Sequence, residues 1–156
     1  MTSSHSEGIE RYDEIVELFL KRKNVQLQMD WGLERGGRTP FGAAVSRGRL
    51  DIIKKMVAKG IDLNSPHEKG YPLYAATQVG TFPYNKYADA NQLAILQFLL
   101  DNGVDANTME TLSSAADHRD HRGIPLIGAV EKFQPKMVEM LLKAGADVNK
   151  RDQAGP

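Results

Sequence analysis

Gly60-Ile61-Asp62-Leu63-Asn64 is the first of three similar stretches, and the other two are Gly103-Val104-Asp105-Ala106-Asn107 and Gly145-Ala146-Asp147-Val148-Asn149. Each stretch follows an amphipathic run, over residues 50–59, 93–102 and 136–144. A glycine at the end of such a run ends a helix, because it adopts the left-handed conformation without a Cβ penalty. The recurrence therefore predicts helices that end at the same point of a repeated unit.

A second marker, a proline followed by apolar and small residues, precedes each run. It is found as Thr39-Pro40-Phe41-Gly42-Ala43-Ala44, Tyr71-Pro72-Leu73-Tyr74-Ala75-Ala76 and Ile124-Pro125-Leu126-Ile127-Gly128-Ala129. The fixed φ of proline suits the first turn of a helix. Each unit therefore consists of a short helix, a turn, a larger apolar helix and a loop. One such pair cannot bury a core alone, so we expect the units to stack.

The two markers together resemble the ankyrin repeat. The resemblance implies an all-α solenoid of stacked helix-turn-helix units joined by finger loops, with binding rather than catalysis as its role. The family usually has Thr-Pro-Leu-His at the proline marker, and the histidine position here holds Gly42, Tyr74 and Ile127. The polar bonds made by that histidine are therefore missing, and we expect a stability below that of a regular array.

The markers divide the chain into a flexible tail over residues 1–8 and a single repeat domain over 9–156. Within the domain we predict a capping helix or degenerate repeat at 9–29, repeat 1 at 30–65, repeat 2 at 66–108 with an inserted loop at 81–91, a long finger and repeat 3 at 109–150, and the start of a further repeat or a tail at 151–156. The apolar residues predicted to share one face of the capping helix are Ile9, Tyr12, Ile15, Val16, Phe19 and Leu20.

The last repeat lacks the polar outer face that terminal repeats normally have. Its second helix is rich in large apolar residues, namely Met137, Val138, Met140, Leu141 and Leu142. Either the chain is part of a longer array, or a partner or a second copy covers this face. Self-association through the C-terminal repeat face is therefore one of our expectations.

Composition limits the function classes. Twenty basic and twenty acidic residues balance, so the charge does not favour nucleic acid as a partner. There are no cysteines, which excludes disulfides and Cys-ligated zinc. No apolar stretch approaches the roughly 20 residues of a membrane span, and the polar start Met1-Thr2-Ser3-Ser4-His5-Ser6-Glu7 has no apolar signal segment. We expect no membrane partner and a cytoplasmic location.

The candidate binding residues lie on the fingers, on the exposed side of the first helices and in the inserted loop. By position in the repeat, the resemblance assigns to a concave partner-binding face Arg35, Arg38, Ser46, Arg47, His67, Glu68, Gln78, Asp120, His121, Glu131 and Lys132. Its arginines are concentrated at the N-terminal side, which favours a protein partner with an acidic patch. The further candidates are aromatic: Trp31, which either packs between the capping helix and the first unit or anchors a partner, and Phe82, Tyr84 and Tyr87, which either cover their own helix pair or contact a partner.

The long finger ends in Asp117-His118-Arg119-Asp120-His121-Arg122, whose side chains include metal ligands and general bases. Arg119 and Arg122 oppose a bound cation, however, and no third protein ligand is evident other than the distant His67. We therefore predict no cofactor and a non-enzymatic protein-binding module that uses this finger, including His118 and Arg122. The alternatives are a stoichiometric inhibitor, immunity or effector-type protein that blocks a partner enzyme, and a metal-dependent enzyme that uses His118 and His121.

Overall fold

The computed structural model describes residues 14–22, 40–64, 71–78, 90–113 and 120–150. The helices in these ranges are α1 over 14–20, α2 over Pro40–Ser46, α3 over Leu50–Ala58, α4 over Tyr71–Thr77, α5 over Ala90–Asp101, α6 over Pro125–Glu131 and α7 over Pro135–Lys143. Strands β1 over Glu110–Ser113 and β2 over Asp120–Gly123 separate α5 from α6.

The helices are arranged as stacked pairs. Within each pair, α2 packs on α3, α4 on α5 and α6 on α7. The first helices α2, α4 and α6 also contact one another in succession, and the second helices α3, α5 and α7 do the same. The predicted helical solenoid is therefore confirmed.

The glycine and proline markers perform the roles that the sequence assigns to them. Gly60, Gly103 and Gly145 all have positive φ angles, of 89°, 81° and 87°. After α5, the Gly103 amide donates to the Leu100 carbonyl and the Val104 amide donates to the Leu99 carbonyl. These two hydrogen bonds end the helix. At the other end of the unit, Pro40 and Pro125 are the first residues of their helices.

The Asp and Asn of each repeated stretch shape the loop and join it to the next unit. In all three copies the backbone amide of the Asn donates to the carboxylate of the Asp two residues earlier, at 2.8 to 2.9 Å. Two of the Asn side chains then reach forward to the next repeated glycine. Asn64 Nδ2 donates to the Gly103 carbonyl at 3.4 Å, and Asn107 Nδ2 donates to the Gly145 carbonyl at 2.9 Å. The stretch therefore recurs because neighbouring loops hydrogen-bond to each other.

The core is a ribbon that runs along the stack. Its fully enclosed large side chains are Phe41, Val45, Ile52, Ile53, Met56, Leu73, Ile95, Leu96, Leu99, Met137 and Leu141. Val16 and Leu20 of α1 extend the same cluster toward the N-terminus. Their spacing of four residues matches that of Ile52 and Met56 in α3, so α1 occupies the place of a second helix in the stack.

The structure corrects three details of the predicted organisation. Ile15 and Phe19 of α1 are exposed rather than buried with Val16 and Leu20, because only one side of α1 faces the first unit. Helix α5 begins at Ala90, so the last two residues of the predicted insertion at 81–91 are helical, as the high helix propensity of alanine permits. The long finger contains an antiparallel hairpin that the sequence did not predict, with Glu110 paired to Gly123 and Ser113 to Asp120.

Candidate protein-binding surfaces

The finger hairpin is fixed to the stack at its base through Tyr74 of α4. A Cβ atom on Gly123, the last residue of β2, would lie 2.8 Å from the Tyr74 ring. A Cβ on Gly128 of α6 would lie 3.1 Å from the same ring and 2.6 Å from Thr77 Oγ1. The two glycines therefore let the ring pack against both β2 and α6. Tyr74, at the position of the family histidine, packs its ring closely between two units.

Several predicted binding residues form a row at the C-terminal ends of the first helices. Ser46, Gln78 and Glu131 occupy the same position in successive units, and Arg47 and Lys132 come directly after the first and third. Arg47 and Glu131 are exposed, whereas Lys132 is half-buried. Because α2, α4 and α6 contact one another in succession, these positions lie along one edge of the stack.

Gln78 differs from its neighbours in this row. It is half-buried, and its Nε2 atom has no hydrogen-bond partner among the described residues. A Cβ on Gly128 would lie 2.7 Å from that nitrogen, so the amide lies against α6. This nitrogen is itself buried, and a buried amide without an acceptor costs stability.

The remaining predicted site residues lie on the finger or outside the described ranges. Asp120, His121 and Arg122 lie on β2. Those outside the described residues are Trp31, Arg35, Arg38, His67, Glu68, Phe82, Tyr84, Tyr87 and His118. Within the described ranges, no cluster of three or more His, Cys, Asp or Glu side chains could hold a metal ion. The assignment of all these residues to a partner-binding face stays a prediction.

Phe133 is a candidate contact residue that the sequence analysis missed. It follows α6 with a φ of 53°, and its side chain is 84% exposed. Gly48 holds the same place after α2, also with positive φ, and both amides donate to the carbonyl three residues earlier at 3.0 Å. Phenylalanine in the left-handed region costs about 1 kcal/mol or more relative to glycine. Aligning the first and third units would have shown a large aromatic in place of this glycine.

Phe133 borders an apolar groove at the C-terminal end of the stack. The groove has a volume of about 530 Å³ and is lined by Val130, Phe133, Gln134, Pro135, Val138, Glu139 and Leu142. Val130 is 55% exposed and Leu142 is 43% exposed. The Glu139 carboxylate is bonded to Lys143 Nζ at 2.7 Å, and this bond lowers the pKa of Glu139. The rim therefore carries a local ion pair rather than an isolated charge.

The stacked helix pairs, the glycine stops and the loop-to-loop Asn bonds define a helical repeat protein. Residues 8–110 match the family described as ankyrin repeats in three copies, and residues 124–153 match a further ankyrin repeat. These matches cover well over half of the chain, and the chain belongs to the ankyrin repeat family. The first match takes in α1, in agreement with its place as the second helix of a degenerate repeat. Most of the finger hairpin falls between the two matched ranges.

A comparison with curated proteins gives no match to this chain. Ankyrin repeats are in general modules for protein–protein interaction and are typically not catalytic. In the part of the chain that the structure describes, no helix has the length and apolar character required to cross a membrane.

Proposed function

We propose that this chain is a non-enzymatic module that binds a protein partner through its finger loops and the concave face of its first helices. The observation that carries this proposal is the attachment of the long finger hairpin to the rigid stack. Tyr74 packs against Gly123 at the base of the hairpin and against Gly128 in the next helix. A loop held in place in this way has less conformational entropy to lose when it binds.

The row at the C-terminal ends of the first helices, which lies at the opposite end of α6 from the finger, carries charges of both signs. Arg47 and Glu131 are both exposed at this row. Mixed charge at the rim of an interface contributes to specificity and association rate more than to affinity. This composition supports a protein partner, and the predicted Arg35 and Arg38 on the first finger would favour one with an acidic patch.

The first test is affinity capture from the native cell extract with identification by mass spectrometry. Wild type is compared with a variant that combines Arg35→Ala, Arg38→Ala, His121→Ala and Arg122→Ala. We expect a captured protein whose binding falls at least tenfold in the variant, as for the loss of interface anchors. The matched control changes the exposed residues Gln97 and Asp101 of α5 to Ala, away from the fingers, and should bind as wild type does.

Tyr74 provides a second test of the same proposal. Tyr74→Ala removes the ring that holds the hairpin, whereas Tyr74→Phe keeps the ring packed against Gly123. We expect Tyr74→Ala to weaken binding of the captured partner and Tyr74→Phe to retain most of it. Equal binding by wild type and both Tyr74 variants would show that the finger is not the contact surface.

The finger hairpin also favours a more specific function, the inhibition of a partner enzyme. Four residue pairs join β1 to β2, so the described part of the finger is a regular antiparallel hairpin. A hairpin of about 13 Å per strand is long enough to enter an active-site cleft. This function predicts a one-to-one complex with an enzyme whose activity is lost on binding. A complex that leaves the enzyme active, or that holds two partners at once, would indicate an adaptor instead.

A further inference from the structure

We propose that copies of this chain stack head to tail through two apolar end faces. The tail face consists of Val130, Phe133, Val138 and Leu142 on α6, α7 and the turn between them. The head face consists of Ile15 and Phe19, one turn apart on α1. The tail residues border the groove at the C-terminal end, and both head residues are exposed. The proposal does not depend on the partner proposed above, which uses other surfaces.

The repeat itself shows which positions of a second helix face the neighbouring unit. Val16 and Leu20 in α1 are buried in the same way as Ile52 and Met56 in α3, so these helices can be aligned residue by residue. The same alignment places Met137 and Leu141 of α7 in register with them. Glu17 of α1 is then equivalent to Val138 of α7, and Phe19 is equivalent to Lys55 of α3 and Phe98 of α5.

Two contacts inside the stack give the direction that each position faces. Glu17 in α1 forms an ion pair with Lys55 in α3. The Glu17 position of a second helix therefore faces the following unit, and the Lys55 position faces the preceding unit. Lys54 Nζ of α3 lies 6.0 Å from the ring centre of Phe98 in α5, which again places the Phe98 position on the backward side. Val138 therefore faces forward from the last unit, and Phe19 faces back from the first.

Inside the stack, the forward position of one second helix meets the backward position of the next. The forward position of α7 is Val138 and the backward position of α1 is Phe19, so both are apolar at the ends of the stack. If a second copy continued the stack, its Phe19 would lie against Val138, as Lys55 lies against Glu17. Ile15 lies on the same side of α1 as Phe19, because residues four apart share a helix face. The tail groove is apolar along its length, and its one carboxylate is already neutralised by Lys143.

Phe133 is an independent sign that the tail face is a contact surface. The chain uses glycine at the same turn of the first unit, yet here it places a strained and exposed phenylalanine beside the groove. Strain kept at a position that packing does not require is a feature of binding sites. Exposed aromatic residues beside apolar grooves are typical interface anchors.

The loop register also continues past the last unit. Asn64 and Asn107 each donate a side-chain hydrogen bond to a glycine carbonyl of the following unit. Asn149 has the same loop bond to Asp147, but it is exposed and makes no such forward bond among the described residues. A second copy is the occupant that would extend this register, because its α1 already has the form of a second helix.

The test measures association of the full chain by sedimentation velocity over a range of concentrations. Phe133→Asp blocks the tail face with a residue that tolerates positive φ, and Phe19→Asp blocks the head face. We expect wild type to form species that grow with concentration, since a head-to-tail contact does not close. Each variant alone should stay monomeric at the concentrations where wild type associates, because its association is weakened about tenfold or more.

The decisive sample is the mixture of the two variants. Each variant keeps one intact face, so the mixture should form a one-to-one dimer and grow no further. Self-association of Phe19→Asp alone would indicate that two tail faces pair with each other, which would overturn the proposal. A wild-type chain that stays monomeric at every concentration would also overturn it and leave the tail face to another occupant.

A matched control separates the head face from general apolar exposure. Leu18 is 64% exposed on α1 but lies off the side that carries Ile15 and Phe19. Leu18→Asp should therefore associate as wild type does, and a loss of association in this variant would contradict the register. If Phe19→Asp unfolds in circular dichroism, Ile15→Asp takes its place in the mixture.

Discussion

The middle of the stack and its C-terminal end carry apolar residues at the same positions but bury them differently. Leu96 of α5 is fully buried, whereas its equivalent Val138 of α7 is half-buried. Leu100 is half-buried and packs on the core, whereas its equivalent Leu142 is exposed. Burial in a solenoid therefore depends on the presence of a following unit as well as on the sequence of the unit itself.

The largest expected effect comes from truncating this pair of equivalent positions. Leu96→Ala should lower the free energy of unfolding by about 3 kcal/mol, because it leaves a cavity between two units. Val138→Ala should lower it by about 1 kcal/mol, because the side chain is partly in solvent already. Urea denaturation followed by circular dichroism measures both values at a concentration where the chain is monomeric. Equal losses would mean that the end unit is packed as tightly as the middle.

The loop asparagines sharpen the same comparison with hydrogen bonds. Asn107 donates to the Gly145 carbonyl at 2.9 Å and accepts from the Asp147 amide at 2.7 Å, whereas Asn149 makes neither kind of forward bond in the described residues. Asn107→Ala should cost about 1 to 2 kcal/mol, the net value of two such bonds. Asn149→Ala should change stability by no more than a few tenths of a kcal/mol.

Hydrogen exchange can locate the effect of the Asn107 substitution. The Asp147 amide loses its acceptor in Asn107→Ala and should exchange faster than in wild type. Its exchange in Asn149→Ala should stay close to the wild-type rate. Protection of this amide in both variants would show that the loop holds its shape without the bond from the preceding unit.

Substitutions in the turns between the two helices of the first and third units should change the free energy of unfolding in opposite directions. Gly48 has a φ of 71°, and a Cβ there would lie 3.3 Å from Gln92 Nε2, so Gly48→Ala should lower the free energy of unfolding by about 1 kcal/mol. Phe133→Gly removes a side chain from the same backbone conformation and should raise it by about 0.5 kcal/mol. Thermal unfolding of the two variants checks the signs. Destabilisation by Phe133→Gly would mean that the exposed ring supports the fold.

Features that repeat were predictable from the sequence, because their physical causes are local. A glycine that ends a helix and a proline that begins one act within a few residues, and both markers stand where helices end and begin in the structure. The stacking followed from the inability of one helix pair to bury a core. The family match over residues 8–110 and 124–153 agrees with that organisation.

Features that depend on a neighbouring element were harder to predict. Ile15 and Phe19 lie within one turn of Val16 and Leu20, and only the position of α3 decides which of them are buried. The close packing of Tyr74 on Gly123 joins residues far apart in sequence, so no local pattern indicated it. Phe133 broke a visible pattern, but its meaning required the φ angle and the groove beside it.

The smallest effect concerns the ion pairs at the two ends of the stack. Glu17 bonds Lys55 across two units, whereas Glu139 bonds Lys143 within α7, and each bond lowers the pKa of the carboxyl group from its ordinary value of 4.5. A lowered folded-state pKa means that the stabilisation is present above 4.5 and is lost as the pH falls through the folded value. Both pairs are exposed, so salt should weaken them.

The two ion pairs should stabilise different parts of the stack, because one joins α1 to α3 and the other lies within α7. Glu17→Gln should speed hydrogen exchange in α1, for example at the Lys21 amide that bonds the Glu17 carbonyl, relative to wild type at the same pH above 4.5. Well below that pH, wild type should match the variant, because Glu17 is then protonated. Glu139→Gln should alter exchange only within α7. If exchange in α1 stayed at the wild-type rate in Glu17→Gln at every pH, α1 would be held by the burial of Val16 and Leu20 without the ion pair.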